Sequence, residues 1–163
     1  MLSRPSLLMA LALGCAHAPA PPPADPAAPP VSASQVTEIR LERLQGGIYA
    51  SGPAYVFTLR KEGLSTYTGS AQVPMLGDYH VVIPQAAFSA LAEKLLANGF
   101  FTRRAVYLKG QCADVRGVRV SLTIGGTAEA LAPSCPTAEF EQEIAAPIDS
   151  VAGRLPWSAS LKL

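Results

Sequence analysis

The chain has 163 residues, 49% of them hydrophobic and 15% charged, with 13 Lys and Arg against 12 Asp and Glu. That composition describes one compact domain accompanied by a less ordered segment. A net charge of +1 supplies no field to draw the chain onto nucleic acid or an acidic surface, so partner choice rests on local features.

Residues 1–14 open with a positive start at Arg4, continue through an apolar run over residues 7–13 and end on the small residue Gly14. This is the grammar of a signal peptide. The run is far shorter than the roughly 20 apolar residues of a spanning helix, so no permanent membrane span is expected. Two processing routes compete: cleavage before a lipid-modified Cys15, or cleavage after Ala18 with Ala16 as the second small residue. Pro19 disfavours the second route, because its ring fits poorly in an extended protease cleft. Leu11, Ala12, Leu13, Gly14 and Cys15 resemble the lipobox of bacterial lipoproteins, with Ala12 where a Leu is usual. That resemblance implies lipidation at Cys15, and Ala16 in place of an Asp after it implies the outer membrane.

Residues 15–34 follow as a Pro/Ala-rich tether that holds seven of the chain's 15 prolines. With no hydrophobic period it buries too little to offset ordering, and its prolines favour extended polyproline II at about 3.1 Å per residue.

Residues 35–163 are expected to form a single globular domain. Ile39 and Leu41 alternate with Arg40 and Glu42 in a half-buried strand over residues 37–44, and Tyr55, Phe57 and Leu59 form a second. Gly63 turns that strand back into residues 64–68, and Tyr79, Val81 and Ile83 make a fourth. Phe88, Leu91 and Leu95 then recur at helical spacing from Pro84 until Asn98 and Gly99 end the helix. After an irregular stretch to Gly117, Val118, Val120, Leu122 and Ile124 alternate, turn at Gly125 and Gly126, and return. The last segment begins with Thr137 as N-cap and carries Phe140, Ile144, Ile148 and Val151 as one stripe, which Pro147 kinks or splits. The fold expected is α+β: a two-layer antiparallel arrangement in which an N-terminal meander and a later hairpin pack on two helices.

Ser51, Pro53 and Tyr55; Gly63, Tyr67 and Gly69; Gly77 and Tyr79; Phe100 and Phe101; Tyr107; Asp114; Ile148 and Asp149; and Trp157 stand in an order that resembles a bacterial envelope family, domain of unknown function 6438. The resemblance implies a small secreted or lipid-anchored domain. The family's cysteine pair before the second strand is missing, with Gly52 where the second would stand. The family name implies no activity.

With Cys15 set aside, Cys112 and Cys135 remain as an even pair in an oxidising compartment, where a disulfide is the natural expectation. It would close a loop worth about 3 kcal/mol in the chain-entropy description. Two buried thiols are one alternative, and a nucleophilic Cys112 assisted by His80 is another. His80 is the domain's one histidine, its alternation with Tyr79 and Val81 turns it outward, and no Gly-x-Ser-x-Gly elbow supplies a nucleophile. Asp78 and His80 share a strand face without a third metal ligand in view. The chain therefore gives no grounds to assign a catalytic residue, a metal or a cofactor. Candidate ligand contacts are Tyr49 in the Gly-rich loop, His80 and Asp114, the last also suited to a loop-closing hydrogen bond with Tyr107. The basic residues Arg103, Arg104, Lys109, Arg116 and Arg119 face an acidic set of Glu129, Glu139, Glu141, Glu143 and Asp149, expected as offsetting solvated faces.

These observations point to a non-catalytic envelope lipoprotein, a binding or accessory module that meets the membrane through its lipid and meets an envelope protein or glycan through its domain. The alternatives are an envelope hydrolase around His80, Asp78 and Asp114, and a self-associating surface protein.

Overall fold

The computed structural model describes residues 31–44, 52–109 and 117–160. After a 3-10 turn at Ala33–Gln35, the strands are β1 (Val36–Leu44), β2 (Ala54–Arg60), β3 (Ser65–Ala71), β4 (Gly77–Val81), β5 (Gly117–Ile124), β6 (Thr127–Leu131) and β7 (Ser158–Ala159). They form one antiparallel sheet in the order β6-β5-β1-β2-β3-β4-β7. The fold is α+β, as expected, and the later hairpin joins the meander by pairing β5 with β1.

Register makes the two faces of this sheet different. Leu131, Val120, Leu41, Phe57, Tyr67, Tyr79 and Ala159 are paired in turn across all seven strands. The next row on the other face runs Ala130, Ser121, Arg40, Thr58, Thr66, His80 and Ser158. Side chains alternate along a strand, so the first row builds the core and the second is polar.

The helices are α1 (Gln85–Ala97), the short α2 (Arg104–Tyr107), α3 (Ala138–Phe140) and α4 (Ala146–Ala152), with α3 and α4 joined by a π-helical stretch, Glu141–Ala145. Phe88, Leu91 and Leu95 of α1 and Phe140, Ile144 and Ile148 of the last segment enter the same core as the sheet. Asn98 and Gly99 end α1 as the sequence indicates. Gly99, at φ +85°, allows Phe100 N–H to reach Leu95 O and Gly99 N–H to reach Leu96 O, the paired bonds of a Schellman cap. The stretch that sequence left irregular contains α2, whose four residues are too few for periodicity to register.

Thr137 caps α3 by accepting a bond from Phe140 N–H at 3.1 Å, as its position implies. Pro147 does interrupt the last segment. It has no N–H to give the carbonyl four residues back, that of Glu143, and its ring crowds that oxygen. The chain widens into the π-helical stretch there, and the Glu143 carbonyl is bonded from outside, by the Asn98 side-chain amide at 2.6 Å. A break in one helix is thus joined to the end of another.

Candidate functional site

The β3–β4 connection, residues 72–76, folds back over the sheet. It starts at Gln72, which takes φ +51°, and ends at Gly77, at φ +99°. This folding needs Gly69: a Cβ there would lie 2.0 Å from the Met75 carbonyl oxygen, closer than any contact allows. Tyr67 fixes the loop by donating its hydroxyl to that same oxygen at 3.0 Å. Beside it Tyr79 donates to Leu76 O at 3.3 Å.

Between this loop and the chain's C-terminal stretch lies an open groove of about 380 Å³, lined by Pro53, Tyr55 and Phe57, by Val73, Pro74 and Met75 of the loop, and by Trp157. Trp157 stacks on Phe57 at 5.7 Å between ring centroids and leans on Tyr67 at 5.8 Å. Tyr55 and Tyr67 meet Phe57 at 5.1 and 4.9 Å. These are the distances of favourable offset and edge contacts between rings.

The indole N–H, the Tyr55 and Tyr67 hydroxyls and the Asp149 carboxylate around this groove are turned back into the protein, while Gln72 at its rim is exposed. Trp157 Nε1 donates to Ala152 O at 2.8 Å. Tyr55 donates to Asp149 Oδ1 at 2.7 Å, while Arg43 binds Asp149 Oδ2 at 2.8 Å and Glu141 at 2.8 and 3.1 Å. Arg43 sits on the core side of β1, opposite Tyr55 in register, and fastens the π-helical stretch and α4 to the sheet. Burial works against its charge, but the bonds and charges of Glu141 and Asp149 outweigh that and hold its pKa above the ordinary value. Tyr55 is likewise raised, by burial first and then by its bond to Asp149 and that residue's charge. Burial also raises Tyr67.

A second polar cluster lies around Tyr107, which is fully buried. Its hydroxyl contacts Asn98 O at 2.6 Å and Glu143 Oε2 at 2.7 Å, and Arg103 pairs with Glu143 while its guanidinium stands 5.2 Å from the Tyr107 ring centre. Burial, then the bond to Glu143, pushes Tyr107 up to about 12. Among the described residues the side chain that Tyr107 meets is Glu143; Asp114, the partner suggested by sequence, lies outside them. The charges expected as separate solvated faces are partly cross-paired, through Arg103 with Glu143 and Arg104 with Glu129 at 3.7 Å.

Of the candidate contacts read from sequence, Tyr49 and Asp114 lie outside the described residues, as do Cys15 and Cys112. Cys135 is half-buried beyond β6. His80 lies on the polar face, turned away from the groove, with Nδ1 3.3 Å from Ser160 Oγ. Asp78, on the same face, is bonded by Thr68 at 2.8 Å. Sequence reasoning did not single out the groove as a site, although it quoted Pro53, Tyr55, Tyr67, Gly69, Asp149 and Trp157 as residues carrying the family resemblance. The structure brings those six together. A second cavity of about 380 Å³ lies between α1 and α4, with Lys94 and Arg154 among its lining residues.

The architecture defines a small α+β domain whose aromatic groove is flanked by its own hairpin loop. Residues 38–141, well over half of the chain, match the family described as domain of unknown function DUF6438, and the chain belongs to that family. Asp149 and Trp157 lie beyond the matched residues. No curated protein and no solved structure matches the chain.

Proposed function

We propose that this protein is a non-catalytic binding module of the bacterial cell envelope, anchored by lipid at Cys15 to the outer membrane, and that the aromatic groove is where it binds. One observation carries this reading. The groove offers ring faces while, among the described residues, its hydroxyls, indole N–H and carboxylate are already bonded within the protein, which suits it to hold a ligand by contact. Its volume falls in the range of about 300–1,000 Å³ usual for binding pockets. Neighbouring groups of the right type at the right spacing are what catalysis requires, and no such set lines the groove among the described residues.

Trp157 is the chain's one tryptophan and lines the groove, so its emission reports occupancy. Titration with separated lipid, glycan and peptide fractions of the envelope should change that emission saturably for at least one fraction. Unchanged emission with all of them would sink the binding reading. Fatty-acid labelling that depends on Cys15 tests the anchor separately.

A further inference from the structure

We propose that the cleft between α1 and α4 is a second binding site, and that its ligand is a free fatty acid, a single acyl chain ending in a carboxylate. The proposal does not depend on the aromatic groove. Along α4 and its C-cap, Asp149 and Gly153 line the groove while Pro147, Ser150 and Val151 line the cleft, so one short helix separates the two.

The cleft exists because α1 and α4 meet through small side chains. Ala87 and Ala90 of α1 and Ser150 of α4 are too short to fill the space between two packed helices, and about 380 Å³ is left open. That volume lies in the range of about 300–1,000 Å³ usual for small-ligand sites. Ala87, Val151 and Leu155 are half-buried there, beside the buried Leu91 and Pro147. The floor is therefore apolar, and covering it releases water from apolar surface.

Three polar side chains complete the lining: Lys94, Arg154 and Ser150. Both cations are exposed, and among the described residues neither is paired with a carboxylate. Arg154 is steadied by donating Nε–H to Ser150 O at 2.8 Å, which engages one of its three nitrogens. The neighbouring acids do not oppose them. Asp149 is bound by Arg43 and Tyr55 at the aromatic groove, and Glu93, next to Lys94 in α1, does not line the cleft. Lys94 lies in the last turn of α1 and Arg154 just beyond α4, where helix dipoles favour a cation. The dipoles account for the sign of these charges but not for the open apolar floor beside them.

A fatty acid matches this lining part by part. Its chain covers the floor, and its carboxylate takes the two cations as charge-assisted bonds. A cationic amphiphile meets like charge there, and no aromatic ring lines the cleft to give a sugar or a base a face to stack on.

Calorimetric titration of decanoate into the full-length chain, below the concentration at which decanoate forms micelles, tests this. Binding should be saturable. From octanoate onward each added methylene should tighten it about twofold, the effect of burying that methylene by half in an open cleft. Decanol, equally long but uncharged, should bind about tenfold more weakly, since each exposed cation is worth about threefold. Lys94→Gln combined with Arg154→Gln should weaken decanoate by that same factor and leave decanol unchanged. Ala90→Glu sets a carboxylate in the cleft while keeping a good helix former, and should weaken decanoate about tenfold. All three positions are exposed, so folding tolerates these changes. No saturable binding of decanoate, decanol binding as tightly as decanoate, or full affinity in either variant would each overturn the proposal. So would binding to anionic phosphatidylglycerol vesicles without binding to decanoate, which would make this helix pair a membrane-facing surface instead.

Discussion

The core-facing side of the sheet is built in two different ways. On β6, β5 and β1 it is aliphatic: Leu131, Val120, Leu122, Ile39 and Leu41 have no exposed surface. On β2, β3 and β4 it is mainly aromatic beside Leu59 and Val81, and while Phe57 and Tyr67 are buried, Tyr55 and Tyr79, with Trp157 just before β7, remain half-buried. Branched aliphatic chains interlock and close a core completely. Wide rings stacked at 5 to 6 Å cover ground quickly but leave gaps between them, and here the gap is the groove. The aliphatic half should therefore govern stability and the aromatic half occupancy.

The largest effect should come from the aliphatic half. Leu41→Ala removes a fully buried side chain and should lower unfolding free energy by about 3 kcal/mol through lost transfer and the cavity left behind. Trp157 emission in the folded protein should not change. Denaturant melts followed by circular dichroism and by emission check both halves of that statement, and an emission shift in the folded variant would break the separation.

Arg43 lies at the boundary of the two halves. Arg43→Met leaves the half-buried carboxylates of Glu141 and Asp149 without their cation. Because the cluster is partly solvated, the expected loss is about 2 kcal/mol, less than for a fully buried pair. Denaturant melts measure the loss. Asp149 also anchors Tyr55 in the groove wall, so this variant alone should alter both stability and Trp157 emission.

Tyr107→Phe tests the second polar cluster, remote from the groove. Losing the contacts to Asn98 and Glu143 should cost about 1–2 kcal/mol at neutral pH. The hydroxyl's pKa is about 12 in the folded protein against 10.0 ordinarily, so the folded state holds this proton more tightly than the unfolded one. Its contribution is whole below pH 10 and is lost as pH rises from 10 to about 12. The variant should therefore lose less stability than wild type over that interval, as melts at a series of alkaline pH values would show. Parallel curves would mean the hydroxyl is not linked to folding.

How much of this was legible beforehand depends on the range of the signal. Alternation in β1, β2 and β5, the helical spacing of Phe88, Leu91 and Leu95, and the caps at Thr137 and Gly99 are all local, and each was readable. The pairing of β5 with β1 joins residues about 80 positions apart, and no local pattern encodes it. The two-residue β7 is too short for any period. Pro147 announced a break, but its remedy, the Asn98 amide on the Glu143 carbonyl, comes from another helix. The groove is the clearest case. Tyr55, Tyr67 and Trp157 each read as ordinary strand or terminal aromatics, and the glycine that lets the loop lie on them, Gly69, looks like any strand glycine until its Cβ is set against Met75 O.

The smallest expected effect concerns His80, the residue sequence singled out and the structure places on the polar face. Its one side-chain contact among the described residues is the 3.3 Å approach to Ser160, beside the short pairing of β4 with β7. A polar contact on an open face exchanges readily with water, so His80→Ala should change stability by less than about 0.5 kcal/mol. Since β7 begins at Ser158, next to Trp157, a larger role for the His80 contact in holding that strand would surface as greater quenching of Trp157. The two measurements together separate the faces of the sheet. If stability and quenching both stay put, the groove is independent of the polar face. If quenching rises while stability does not, His80 steadies the groove wall through β7. And if an esterase or amidase activity is found that His80→Ala abolishes, the polar face carries the protein's chemistry and the binding reading gives way to the hydrolase one.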